Sequence, residues 1–208
     1  QPIPGSSQNL IADRPGSGSR RDLVIVTAHL DSVNHDGGAA PGADDNASGC
    51  AGVLEIARVL RTLRATHDLR LILFGGEEQG LLGSRAYVDA LPQADRARIK
   101  AVVNMDMIAT QNTPQPGVLL EGAASSLPVL DALAQAAATY TSLTVQTSLH
   151  PFASDHVPFI EAGLPAVLTI EAADGANGDV HTAADTADKL ELPLAREIVR
   201  MNVAMLAA

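Results

Sequence analysis

The 208-residue sequence predicts an α/β fold, a largely parallel sheet covered by helices on both faces. Three observations carry this. Short, almost continuous apolar runs rich in branched residues recur along the chain, as in strands buried on both sides. Segments with apolar residues at helical spacing lie between them. Glycine- and aspartate-rich stretches separate the two kinds.

The elements follow in order. Asn9–Ala12 is a short apolar segment that fits an edge strand, and Gly16–Arg21 reads as a turn. Leu23–Ala28 (LVIVTA) has the composition of a doubly buried strand. His35–Gly49, rich in Gly, Ala and Asp, reads as loop. Ser48–Ala65 is the clearest helix: Val53, Ile56, Ala57, Leu60 and Leu63 share a face, while Glu55, Arg58, Arg61 and Arg64 fall elsewhere. Leu69–Phe74 (LRLILF) is a second buried strand, closed by Gly75–Gly76, and Leu81–Ala90 is a helix. Ala101–Met107 is a third strand, Val118–Leu120 a fourth, and Leu127–Tyr140 a helix. Val145–Thr147 fits strand or loop. His156–Ala162 is a short helix, Ala166–Ile170 a strand, and Leu194–Met205 a closing helix with Leu194, Ile198, Met201 and Met205 on one face. Without an internal repeat, one domain over 1–208 is the economical reading.

Composition narrows the function. Apolar residues make up 46% of the chain, which is incompatible with disorder throughout. No apolar run has the length of a membrane span. A formal charge of −10 and 2% aromatics, with no Trp, argue against nucleic acid, whose phosphates need Lys and Arg and whose bases need stacking partners. The single cysteine, Cys50, excludes an internal disulfide framework and a CxxC pair, and it reads as a small core residue. Gln1–Ser19 lacks the charged start and apolar core of a signal peptide. It reads as the start of a mature form or of a fragment from a longer precursor.

In open α/β sheets, ligands sit beyond the carboxyl ends of the strands. His29-Leu30-Asp31 follows the first central strand, Glu77-Glu78 the second, and Asp106 the third. Glu171 and then His181 follow the strand at Ala166–Ile170, and Asp44-Asp45-Asn46 precedes the long helix. Each alone has a plain reading. An Asp pair before a helix is a cap, a Glu pair favours the helix dipole, and His35 and His67 read as surface residues. Together, two imidazoles and three carboxylates on one sheet edge suit zinc, and suit two ions better than one, because a carboxylate can bridge. Such a site also needs a carboxylate that takes the proton of water. Adjacent Glu77 and Glu78 can divide these jobs.

Six segments in order, HLDS (His29–Ser32), GADDNASG (Gly42–Gly49), GGEEQGLLGS (Gly75–Ser84), NMD (Asn104–Asp106), SDHVPF (Ser154–Phe159) and HTAADT (His181–Thr186), resemble the dizinc aminopeptidases of metallopeptidase family 28. The resemblance runs from about residue 9 to the C-terminus. It implies a three-layer fold with a mixed, mainly parallel sheet between helices. It also implies two zinc ions per chain: His29 and Asp106 on one, Glu78 and His181 on the other, and Asp45 bridging. Glu77 is then the general base, and Asp31 the carboxylate that orients His29. The implied reaction is hydrolysis at the free N-terminus of a peptide, by a monomer that is secreted or periplasmic, with no nucleic-acid or membrane partner. Zinc would polarise the scissile carbonyl and lower the pKa of bound water to about 7.

Two departures stand out. Relatives place a Tyr near the SDH segment or before the last ligand His, to steady the tetrahedral intermediate. Here the stretch is His150-Pro151-Phe152-Ala153, and Val180 precedes His181. His150 is the candidate replacement, against the plainer reading of a loop histidine without a role. The elements before the first motif are also short for the family, which leaves room for a flanking helix or another domain beyond Gln1. The competing functions are a glutaminyl cyclase with one zinc, a carboxypeptidase-like enzyme and a non-catalytic binding domain. The carboxypeptidase lacks a cation within the motifs for the substrate carboxylate, and the binding domain is not expected to keep Glu77. No GxSxG, Walker loop or HExxH occurs.

Overall fold

The computed structural model describes residues 1–3, 7–19, 21–63 and 65–207. Expectations that touch 4–6, Arg20, Arg64 or Ala208 fall to that extent outside the described residues. Among the described residues seven strands form one sheet: β1 (Leu10–Arg14), β2 (Leu23–His29), β3 (Asp68–Phe74), β4 (Ile99–Met105), β5 (Gly117–Glu121), β6 (Thr144–Ser148) and β7 (Ala166–Glu171). Their order across the sheet is β1-β3-β2-β4-β7-β5-β6. The β1–β3 and β5–β7 pairs are antiparallel and the rest parallel. The helices are α1 (Gly49–Leu60), α2 (Leu82–Asp89), α3 (Gln93–Arg96), α4 (Leu127–Tyr140), α5 (His156–Glu161) and α6 (Leu192–Ala207).

Strand β2 shows why the sheet is central. Every one of its residues is buried. Val24, Val26 and Ala28 point into one core with Val53, Ile56 and Leu60 of α1 and Ile198 and Met201 of α6. Leu23 and Ile25 point into the other, with Phe74, Tyr87 of α2 and Phe159 of α5. The alternation of side chains thus feeds two separate cores, and a strand buried on both faces must be apolar at every step. Fully burying residues such as Ile25, Ile56 and Ile198 is worth about 1.5–3 kcal/mol each. Among the described residues no helix is long and apolar enough to cross a membrane.

The structure moves several boundaries. The first strand is Leu10–Arg14, and the third central strand begins at Ile99 and stops at Met105. Helix α1 ends at Leu60, and Leu63 lies outside it at 38% exposure. The chain turns there because Leu63 hydrogen-bonds back to the Leu60 carbonyl on its way to β3. Val145–Thr147 belongs to an edge strand; its exposed Thr and Gln residues hide the usual strand signature. Within the expected loop His35–Gly49, Ala43–Ser48 forms a helical turn broken at Asp45 and Asn46, and the Asp45–Asn46 peptide is cis.

Candidate metal centre

Three strands deliver candidate ligands to one edge. His29 is the last residue of β2, Asp106 follows β4, and Glu77-Glu78 follow β3 across Gly75-Gly76. Asp45 comes from the broken turn before α1, and His181 from the long loop after β7. Ligand atoms of His29, Asp45 and Asp106 lie within 4.8 Å of one another, and so do those of Asp45, Glu78 and His181. Asp45 is common to both groups. Its Oδ1 is 3.1 Å from His29 Nε2, and its Oδ2 is 3.0 Å from His181 Nε2. His29 Nε2 is 3.2 Å from Asp106 Oδ1, and His181 Nε2 is 3.0 Å from Glu78 Oε2.

The supporting bonds explain how this crowd is held. Asp185 accepts the backbone N–H groups of Asp44 and Asp45, one on each carboxylate oxygen, at 2.8 and 3.0 Å. Asn46 donates to the Met105 carbonyl and accepts from Gly49 N–H, tying the broken turn to β4. The resemblance implies that Asp31 orients His29 through its carboxylate. The nearer contact is its carbonyl, 3.0 Å from His29 Nδ1, with the carboxylate at 3.8 Å. The carboxylate instead accepts the N–H groups of Glu77 and Glu78, at 3.1 and 3.0 Å. One residue therefore positions both His29 and the Glu pair.

Asp106 is fixed by a buried chain that the sequence reading did not assign. Thr27 Oγ1 donates to Asn104 Oδ1 (2.7 Å), Asn104 Nδ2 donates to Ser154 Oγ (2.8 Å), and Ser154 Oγ donates to Asp106 Oδ2 (2.6 Å). The amide nitrogen can only donate, so the serine hydrogen must go to Asp106. This leaves Asp106 Oδ1 turned toward His29. Asn104 and Ser154 stand inside the NMD and SDHVPF segments, which was the available signal. His35, read as a surface residue, is exposed, yet its ring lies 4.6 Å from that of His181 and its N–H donates to the His181 carbonyl. His150 is exposed in the loop after β6, where its N–H meets Ser148 Oγ. That loop lines the cleft through Phe152, Ala153 and Ser154.

The donor set fits a pair of divalent cations. If His29 Nδ1 donates to a carbonyl, Nε2 faces two carboxylate oxygens, a contact satisfied by a second proton on the ring or by a metal cation in the proton's place. Among the described residues Glu78 Oε1 is buried without a hydrogen-bond partner. Three carboxylates and two imidazoles in two groups sharing one Asp make a set of nitrogen and oxygen ligands that divalent zinc accepts.

The electrostatics agree. Burial opposes a charge on His29, but the carboxylates of Asp106 and Asp45 outweigh it and lift its pKa well above the ordinary value. Burial would lift Asp106, and the facing His29 holds it low. Burial pushes Glu77 up to about 9, helped by Asp106, Asp155 and Glu78. Glu78 rises to about 7 through burial and the neighbouring Asp45. Cys50 donates its thiol to the His29 carbonyl, and burial lifts its pKa to about 11, so it is no nucleophile. Behind the site, burial lifts Asp155 to about 7, and burial with Asp44 beside it lifts Glu171 to about 9.

A pH prediction follows for the protein in chelator. Glu77, Glu78, Asp155 and Glu171 all have folded pKa values above their unfolded ones, so between the two values the folded chain holds more protons. Their contribution to stability is complete below about pH 4 and is lost as pH climbs through about 7 to 9. The raised His29 acts in the same direction. The unfolding temperature of the metal-free chain is therefore expected to fall steadily from pH 5 to pH 9. Added zinc, which needs the deprotonated carboxylates, is expected to raise it more at pH 8 than at pH 5. Scanning calorimetry in chelator and in zinc checks both.

Comparison with known proteins places this geometry. A model of peptidase family M28 matches residues 9–206. Aminopeptidase YwaD of Bacillus subtilis is 37% identical over 163 residues, covering 76% of this chain and 34% of its own. A solved zinc aminopeptidase from Bacillus subtilis superposes with a TM-score of 0.84 at 32% identity, over 96% of this chain and 49% of its own. A glutaminyl cyclase from an Acidobacteriales bacterium shares the fold at 24% identity and a TM-score of 0.78, over 95% of this chain and 72% of its own. The chain spans from about a third to a half of the length of the curated relatives it matches. With the match extending over nearly the whole sequence, the chain belongs to peptidase family M28.

Proposed function

We propose that the chain is the catalytic part of a zinc aminopeptidase that binds two ions and removes the first residue from peptides with a free N-terminus. The observation that carries this reading is the pair of ligand groups sharing Asp45, opening with Glu77 onto one cleft of about 240 Å³. His29 and Asp106 would hold one ion, Glu78 and His181 the other, and Asp45 both. Bound there, the ions would polarise the scissile carbonyl and acidify a water molecule.

The chain's own residues supply the rest. The Glu77 carboxylate takes a proton from the attacking water as the C–O bond forms, and returns it to the amine nitrogen as the C–N bond breaks. Asp31 holds the Glu77 N–H and fixes the base relative to the ligands. The substrate's α-ammonium meets the acidic end of the cleft, which selects a free N-terminus. Secretion or periplasmic export of a monomer belongs to the same reading and rests on the resemblance alone.

The test is a panel of aminoacyl p-nitroanilides and their N-acetyl forms, with zinc-loaded protein. Hydrolysis of the free-amine forms, at least about a hundredfold faster than the acetylated ones, is expected, since the acetyl group leaves a buried carboxylate unpaired. Equal hydrolysis of both, or of neither, would contradict the proposal.

A further inference from the structure

Rows of residues on β5 and β7 build the cleft wall. The two strands are antiparallel, with Leu119 opposite Ile170 and Glu121 opposite Leu168. All four line the cleft, and Met107, Leu168 and Ile170 form an apolar cluster with Leu119 and Val180 against it. Into this aliphatic wall the chain places two carboxylates that the metal centre does not use, Glu121 and Asp174.

Glu121 lies deep. It is 9% exposed and stands level with Leu168, whereas Asp106 is bonded at the level of Thr169–Ile170. At the usual rise of a strand, this sets the Glu121 backbone roughly 3–7 Å from that of Asp106 along β7. Its Oε1 accepts the Phe152 N–H at 2.7 Å and lies 3.3 Å from His156 Nε2. Among the described residues nothing donates to its Oε2. Asp174 opens the short turn Asp174–Ala176, set by Ala173 at a φ of 56°. Its carboxylate has no partner among the described residues.

A leucine or methionine side chain would fill the apolar wall and leave Glu121 Oε2 and the Asp174 carboxylate desolvated without a donor, which is unfavourable. A long cationic side chain lays its methylenes along the wall and its charge against the acids. We propose that the cleft selects peptides whose first residue is lysine or arginine. The stem lies against Met107, Leu119, Ile170 and Val180, and the cationic tip meets Glu121 and Asp174. This rests on the aminopeptidase reading and specifies its substrate class.

The test compares kcat/KM for arginyl, lysyl, methionyl and leucyl p-nitroanilides on the zinc-loaded protein. A charge-assisted contact predicts arginyl and lysyl substrates at least about tenfold above methionyl. Asp174→Asn and Glu121→Gln are each expected to shrink the ratio of arginyl to methionyl. A ratio taken within one variant is independent of how much of that protein folds. A second readout avoids turnover. Calorimetry on the zinc-loaded Glu77→Gln protein is expected to show tighter binding of argininamide than of methioninamide, with the difference reduced on adding Asp174→Asn. Leucyl and methionyl substrates cleaved as well as arginyl and lysyl, with ratios unmoved by either substitution, would overturn this inference and leave the aminopeptidase reading standing. No cleavage of any of the four would overturn both.

Discussion

Replacing Glu77 with glutamine is expected to lower kcat by about a hundred- to ten-thousand-fold, the usual contribution of a general base. The zinc content and the unfolding temperature should stay close to those of the unaltered chain. The side chain lines the cleft beside the ligands, and neither ligand group includes it. The substitution keeps its size and removes its ability to accept a proton. Substrate KM should change little, because the proton is in motion only in the transition state. Steady-state kinetics with elemental analysis of the same sample checks this. A kcat within about threefold of the unaltered protein would remove Glu77 from the role of base.

The second large effect is at Asp45. It alone belongs to both ligand groups, with one carboxylate oxygen facing each histidine. Asp45→Ala is expected to weaken both metal positions together and bring hydrolysis down to the level of the chelated protein. Asp106→Ala or Glu78→Ala should mainly affect the position each belongs to. The backbone at Asp45 is held by Asp185 through its N–H, so the turn before α1 should persist without the side chain. Zinc analysis separates the cases. An Asp45→Ala chain that keeps both ions would contradict the bridging role.

The parts of this site legible in the sequence are those where chemistry and local pattern coincide. His29 and Asp106 end apolar strands, and in a parallel sheet strand ends converge on one edge. Glu77-Glu78 and Asp45 stand in turns whose glycines mark them as such. Less legible were residues whose work depends on contacts between distant segments. Thr27, Asn104 and Ser154 form one hydrogen-bond chain, although 77 and 50 positions separate its successive members. Asp31 has a free carboxylate in the sequence and a doubly bonded one in the fold, because the turn after β3 brings two N–H groups to it. Glu121 and Leu119 fall on one sheet face by simple alternation, but that this face lines the cleft depends on β5 pairing with β7. The edge strand β6 was ambiguous for a physical reason as well: a strand with little to bury need not be apolar.

In the proposed reading two zinc ions, bridged by Asp45, make this cleft an aminopeptidase site. Stepwise return of zinc to the chelated protein tests it most directly, with bound metal counted and cleavage of a free-amine aminoacyl p-nitroanilide followed in parallel. Bound zinc is expected to saturate at two ions per chain, with full activity reached only as the second position fills. Saturation at one ion, or two bound ions without any cleavage, would contradict that reading.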